Sequence, residues 1–452
     1  MIQTRTAPQA KAVDKAADGQ PRQQRSFVLF VSLVFAYTVL GPGVNVLLGG
    51  RLPPTIYATA PVTATRLGGL VETACFLAVV AVACWILARS LRGVQAPLWH
   101  AVTFSTLLVA MSLVTVVTSG SAPNLRTLVV LLLVCWTMRA LRPSVRDLAL
   151  FGYLTITLAT VSLAMGVLSD AGWIFGSNIE GAETKGLIYS GLLAGPYSQM
   201  NPLGMALAMG LPFVSLVPRA WLRRAGYAFV LGALVLTASR TALVAAVVML
   251  VVFLVSVAVR SSARTVLAAA SLVISVVIVA LPLSTENARA FTERGQVWVQ
   301  ALDTVRSGAG PLTFGQGTKA FQAGSALTDS IGFVRNHGHN QAVTLLVMGG
   351  ALALVCLGAL IWAAVVRAAA VAPASLAPGL FVVCLLTIGV AETALRFEVF
   401  DGNAWIAWCG VFAIINLSAD PTGVPGNAQP EGRRRALPTS PRPRVYTTFG
   451  RA

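Results

Sequence analysis

The sequence predicts an all-α fold: a polytopic transmembrane helix bundle of about 12 spans, with a long extracytoplasmic loop containing short amphipathic helices. Three observations lead there. The chain is 56% hydrophobic and 11% charged, with a mean hydropathy of +0.76, whereas a soluble domain carries roughly 25% charged residues. Its apolar residues fall in runs near the ~20 that a helix needs to cross a bilayer, where a helix satisfies its own backbone without a partner. One connection, residues 284–338, is far longer than the others and carries His337, with His339 just behind it. A long loop between packed spans needs a function to explain it.

Residues 1–26, with Lys11, Lys15, Arg22 and Arg25, read as a disordered cytoplasmic tail. The run 27–48 follows as an uncleaved first span, because it is too long for a signal-peptide core and no small-residue cleavage site closes it. Further spans are expected at 67–88, 98–118, 125–141, 148–168, 201–217, 225–238, 241–259, 265–283, 340–366, 376–395 and 403–418, so that 27–418 is one transmembrane domain. The tail 419–452, rich in Pro, Gly and Arg, is again expected to be disordered and cytoplasmic.

Orientation follows from counting Lys and Arg in the short loops. With the N-terminus inside, the inner loops hold eleven, among them Arg89, Arg139, Arg223 and Arg367, and the outer loops six. That asymmetry places both termini in the cytoplasm and the loop 284–338 outside. The acidic residues lean outward, with Glu286, Glu293, Asp303, Asp329, Glu392, Glu398 and Asp401 on that side. A net charge of +17 comes from basic residues at the ends of apolar runs, which points to membrane lipid as the partner and not to nucleic acid. The six cysteines lie in or beside apolar runs without metal-type spacing.

Candidate chemistry begins at Ser239-Arg240-Thr241. Between Ala225 and Val259, 35 residues, the only charge is Arg240. Such a stretch makes about 52 Å of helix, short of the ~40 residues for two full spans, so the turn sits at or just below the outer surface. Ser239 can cap the following helix, and its amides beside a guanidinium suit an anion. A snorkelling arginine that anchors the hairpin is the alternative.

In the loop, Trp298, Ala301, Leu302 and Val305 form one apolar stripe of an amphipathic helix, and Arg294 falls on that stripe four residues before Trp298. A cation there wants an anion, either a diphosphate headgroup or an outer carboxylate. Gly315-Gln316-Gly317 with Lys319 lacks the order of a nucleotide-binding P-loop and reads as a turn that packs closely. His337-Gly338-His339-Asn340 then runs directly into an apolar helix. The helix N-terminus disfavours imidazolium and keeps His339 available as a base. Two histidines at i, i+2 have no Cys or carboxylate cluster nearby in sequence, so no metal site is expected.

These features in this order resemble the O-antigen ligase family, which joins lipopolysaccharide O-antigen ligases to related polysaccharide polymerases and oligosaccharyltransferases. The resemblance is carried by Ser239-Arg240-Thr241-Ala242-Leu243 opening a span, Arg294 and Trp298, Pro311, Gly315, Gly317 and Phe321, and His339-Asn340 with Gly349-Gly350. It extends over about residues 200–360. Ala353, where members often carry a glycine, and the extra His337 depart from the pattern.

The resemblance implies glycosyl transfer on the outer face of the cytoplasmic membrane, in cell-surface polysaccharide biosynthesis. A polyprenyl-diphosphate-linked glycan would be the donor and a hydroxyl of a glycan or glycolipid the acceptor, without nucleotide, metal or other cofactor. His339 would take or orient the acceptor proton as the catalytic residue. Arg240 and Arg294 would bind the diphosphate, and His337, Asn340 and Trp298 would complete the substrate site. The alternative is a lipid-linked glycan flippase or transporter without transfer activity. That class would carry ionisable groups at mid-membrane, where only Glu72 comes close.

Overall fold

The computed structural model describes residues 8–52, 62–90, 97–175, 185–259, 262–287, 290–331 and 337–418. Among these the helices are, in chain order, α1 (Pro8–Gly49), α2 (Arg66–Ser90), α3 (Trp99–Ser119), α4 (Leu125–Leu141), α5 (Ala149–Leu168), α6 (Met200–Val214), α7 (Ala220–Thr237), α8 (Arg240–Ala258), α9 (Ala263–Leu283), α10 (Ala290–Arg306), α11 (Ala309–Phe314), α12 (Ala326–Ile331), α13 (Gln341–Val371), α14 (Ala377–Ala391) and α15 (Ala404–Ile415). An antiparallel pair of two-residue strands, β1 (Trp173–Ile174) and β2 (Leu192–Leu193), falls between α5 and α6 in the chain. The expected tail 419–452 is outside the described residues, and α1 extends back to Pro8, into the stretch expected to form the other tail.

Every expected apolar segment is helical, but seven of these helices are long and apolar enough to cross a membrane: α1 from Gln23, α2, α3, α5, α8, α9 and α13. The apolar helices α6, α14 and α15 have only 15, 15 and 12 residues, or about 18–23 Å of rise against a ~30 Å hydrocarbon core. They are also the most completely buried, hydrophobic on every side, and so form the centre of the bundle. Their polar ends meet protein groups instead of lipid. Asn403 Nδ2 donates to Ala394 O at 3.0 Å before α15, and Arg367 Nε of α13 to Leu417 O at 3.1 Å after it. A helix whose ends are satisfied by neighbours can stop short of a full span.

Helix ends gather on two faces. On one, Gln23 Nε2 donates to Leu141 O, and Ser418 N to Pro143 O at 2.9 Å. The two ends of the described bundle therefore meet at the same α4–α5 turn. On the other face Arg51, just past α1, donates to the carbonyls of Ala171, Gly195, Tyr197 and Ser198 at 2.8–3.1 Å. The long loop lies on this second face with α10, α11 and α12.

The loop locks onto α13 where that helix is broken. Gly350 adopts φ +66, ψ −165, which releases carbonyls of the preceding turn. Gln316 N donates to Val347 O at 2.7 Å and Gly317 N to Met348 O at 2.9 Å. A Cβ on Gly315 would stand 2.5 Å from Gly349 N, so the two backbones touch with no room for a side chain. Thr318 N also donates to Thr115 Oγ1 of α3 at 2.8 Å, and Thr118 Oγ1 to Gln316 O at 2.7 Å.

Candidate active site

The site is built where α13 begins and α14 ends. Asn340 is the N-cap of α13, its Oδ1 accepting from Val343 N at 3.0 Å. Its Nδ2 donates to Ile278 O of α9 and Val390 O of α14, each at 3.0 Å. One fully buried amide thus pins three helix ends together.

Trp298 and Thr344 fix the peptide just upstream. Trp298 Nε1 donates to Gly338 O at 2.9 Å, and Gly338 N donates to Thr344 Oγ1 at 3.1 Å. Trp298 is wholly buried on the α10 stripe with Val297, Ala301 and Val305. His339 follows at φ +50, in the left-handed region that histidine enters more readily than most residues with a Cβ. Its backbone N donates to His337 Nδ1 at 3.2 Å, and the two rings stand 4.4 Å apart, centre to centre.

Both rings face Glu392, the residue at which α14 ends in extended backbone (φ −146, ψ 170). Glu392 is 2% exposed. Its Oε1 accepts from Arg294 Nη2 at 2.7 Å and from Asn201 Nδ2 of α6 at 3.4 Å. Its Oε2 lies 3.2 Å from His339 Nδ1 and 3.8 Å from His337 Nε2. Burial alone would raise the Glu392 carboxyl, but the His339 hydrogen bond and the charges of His339, His337 and Arg294 hold it down to about 2. Burial pushes the His337 ring well below its ordinary value, with His339 adding to the effect and Glu392 opposing it.

The tautomer of His339 follows from this geometry. An ionised carboxylate only accepts, so neutral His339 carries its proton on Nδ1 and donates it to Glu392. Nε2 is left bare and can take a proton, and Glu392 stabilises the imidazolium that results. His337, His339 and Glu392 also offer ligand atoms within 4.8 Å of one another, a set that could hold a metal ion.

The structure therefore brings Arg294, His337 and His339 together and places Asn340 and Trp298 behind them as buried supports. The carboxylate partner, one of the two anions considered for Arg294, is present as Glu392. Arg240 stands apart. It is exposed at the start of α8 and forms no ion pair with a described residue. It belongs to the same end of the bundle, since a Cβ on Gly204, one turn past Asn201, would lie 2.7 Å from Ser239 Cβ. The expected side-chain cap from Ser239 does not form; its buried hydroxyl, wedged in the α6–α8 contact, has no hydrogen-bond partner.

Glu392 was not singled out from sequence, where it counted only as one of several outer acidic residues. The available signal was its isolation, as the one charge in the apolar run 376–395.

Residues 225–358 match the family model of the O-antigen ligase. The matched stretch contains Arg240, Arg294, Trp298, His337, His339 and Asn340, and stops short of Glu392. No curated protein matches the chain. With several helices long and apolar enough to cross a membrane, the chain is a multi-pass membrane protein, and its residues 225–358 are similar to the O-antigen ligase family.

Proposed function

We propose that the protein transfers a glycan from a polyprenyl-diphosphate donor to an acceptor hydroxyl at the outer face of the cytoplasmic membrane. The observation that carries this reading is His339 held in one tautomer by the buried Glu392, with Arg294 on the other carboxylate oxygen. The acceptor oxygen attacks the anomeric carbon and gives its proton to His339 Nε2. The bond from that carbon to the phosphate oxygen breaks, and polyprenyl diphosphate leaves with the electron pair. Arg240 and Arg294 meet the charge that grows on it, as guanidinium suits paired phosphate oxygens. The energy comes from the sugar–phosphate bond, and two guanidinium groups take the place a metal would fill, so neither nucleotide nor metal is needed.

The test is purified protein with a polyprenyl-diphosphate oligosaccharide and candidate acceptors, in buffer containing EDTA. Release of polyprenyl diphosphate with elongated or glycosylated acceptor is expected. A ladder of products identifies a polymerase, a single addition a ligase, and no release at all returns the reading to a transporter. Restoration of a lost rate by divalent ion would rule out the metal-free scheme.

Sidedness has its own measurement. A cysteine in place of Ser325 is expected to react with an impermeant maleimide added to intact cells from outside; reaction only after permeabilisation would put the loop in the cytoplasm and end the proposal.

Arg240→Lys separates ligand from anchor. Lysine snorkels as well as arginine, but it offers a point charge where guanidinium can engage two oxygens. The variant is expected to insert and fold normally and to lose most transfer. Near-wild-type transfer would leave Arg240 an anchor.

A further inference from the structure

We infer that His337, His339 and Glu392 also form a transition-metal site, which takes Zn2+ or a similar borderline ion and silences the base while it is occupied. The silencing rests on the transfer reading above; the site itself does not.

The spacing of the donor atoms supports it. Around tetrahedral zinc, ligand bonds of about 2.0–2.2 Å place neighbouring donors about 3.3–3.6 Å apart. His339 Nδ1 and Glu392 Oε2 are already 3.2 Å apart, His337 Nε2 and Glu392 Oε2 3.8 Å, and all three donors fall within 4.8 Å. The His337 ring has to shift toward the other two donors to close the set. Two imidazoles and one carboxylate suit zinc and leave a fourth position for water, whereas magnesium prefers an octahedron of oxygens. Arg294 occupies Oε1 and leaves Oε2 to the ion, although its charge weakens the affinity.

Proton positions explain why occupancy would silence the base. A neutral imidazole bound to metal through one nitrogen keeps its proton on the other. Metal on His339 Nδ1 therefore moves the ring proton to Nε2, the atom that must be bare to accept one. On His337 the proton moves from Nε2 to Nδ1, which gives up the bond Nδ1 accepts from His339 N and leaves Thr393 Oγ1, 3.5 Å away, to receive the proton instead. Each ring keeps one proton, and none is released. The transfer scheme uses His337 for no proton step, so the third ligand has a role here that the reaction does not give it.

The test uses the full-length protein, stripped of metal and titrated with Co2+, then with Zn2+ as competitor. Binding of one equivalent with d–d absorption typical of nitrogen and oxygen ligands is expected, and Zn2+ should displace it. His337→Asn and Glu392→Gln should each weaken binding at least about ten-fold, since even outer partners of a metal site matter 10–100-fold. Thermal melting confirms that each variant is folded. Unchanged affinity in His337→Asn, or a thiolate charge-transfer band, would assign the ion elsewhere and overturn the site. In the transfer assay Zn2+ should inhibit with the midpoint of its binding. Binding with the expected dependences but no inhibition overturns the silencing. A protein that binds metal in this way yet never transfers glycan would sink the functional reading and leave the site standing.

Discussion

His339→Asn is expected to lower the transfer rate by about 10²–10⁴, the range for a lost general base. Asparagine is the informative replacement because it tolerates the φ of +50 that His339 adopts, whereas alanine would add backbone strain. It keeps a polar group near Glu392 but cannot take the acceptor proton at neutral pH. The Glu392–Arg294 pair stays intact, so the melting temperature should move little while the rate collapses. Donor binding should persist, because the diphosphate ligands are untouched. His337→Asn, by contrast, should cost much less. Full activity in the His339 variant would give the base to His337 or to solvent.

Glu392 carries the second large effect, on stability and rate together. Glu392→Ala removes the carboxylate from Arg294, whose side chain is only 24% exposed, and breaking such a pair on one side costs about 3–5 kcal/mol. Glu392→Gln keeps the shape and an oxygen that can still accept from His339 Nδ1. It lacks the charge that stabilises imidazolium, so transfer should fall by about 10² or more while stability suffers less than in the alanine variant. Thermal melting in detergent and initial rates on the same samples separate the two effects. A glutamine variant with wild-type rate would show that Glu392 is a structural ion-pair partner alone.

The contrast between what could and could not be read from sequence follows contact distance along the chain. The Arg294–Trp298 stripe was legible because helical periodicity alone puts those residues one turn apart. Asn340 ahead of an apolar run was legible as a helix start, and its cap bond to Val343 N is local. Glu392 meets His339 across 53 positions and Arg294 across 98. No local pattern encodes those meetings, which depend on where α14 stops against α13 and α10. The expected end of that span at 395 misled for the same reason. Leu395 is apolar, yet the chain leaves the helix at Glu392 because the carboxylate has partners there, and Leu395 N instead donates to Gln341 Oε1 at 3.0 Å. The Ser239 cap failed because packing against Gly204 turned its hydroxyl inward.

The break at Gly350 bears on how the protein is made. The loop leaves the ribosome before α13 does, so Gln316 and Gly317 exist before the carbonyls of Val347 and Met348 that they will serve. Without them, α13 would enter the bundle with two peptide oxygens bare among apolar side chains, and each such oxygen costs several kcal/mol in a hydrocarbon setting. The helix that follows the proposed catalytic base therefore draws on the loop for two of its backbone hydrogen bonds. The loop is thus a backbone partner of α13 as well as part of the proposed site.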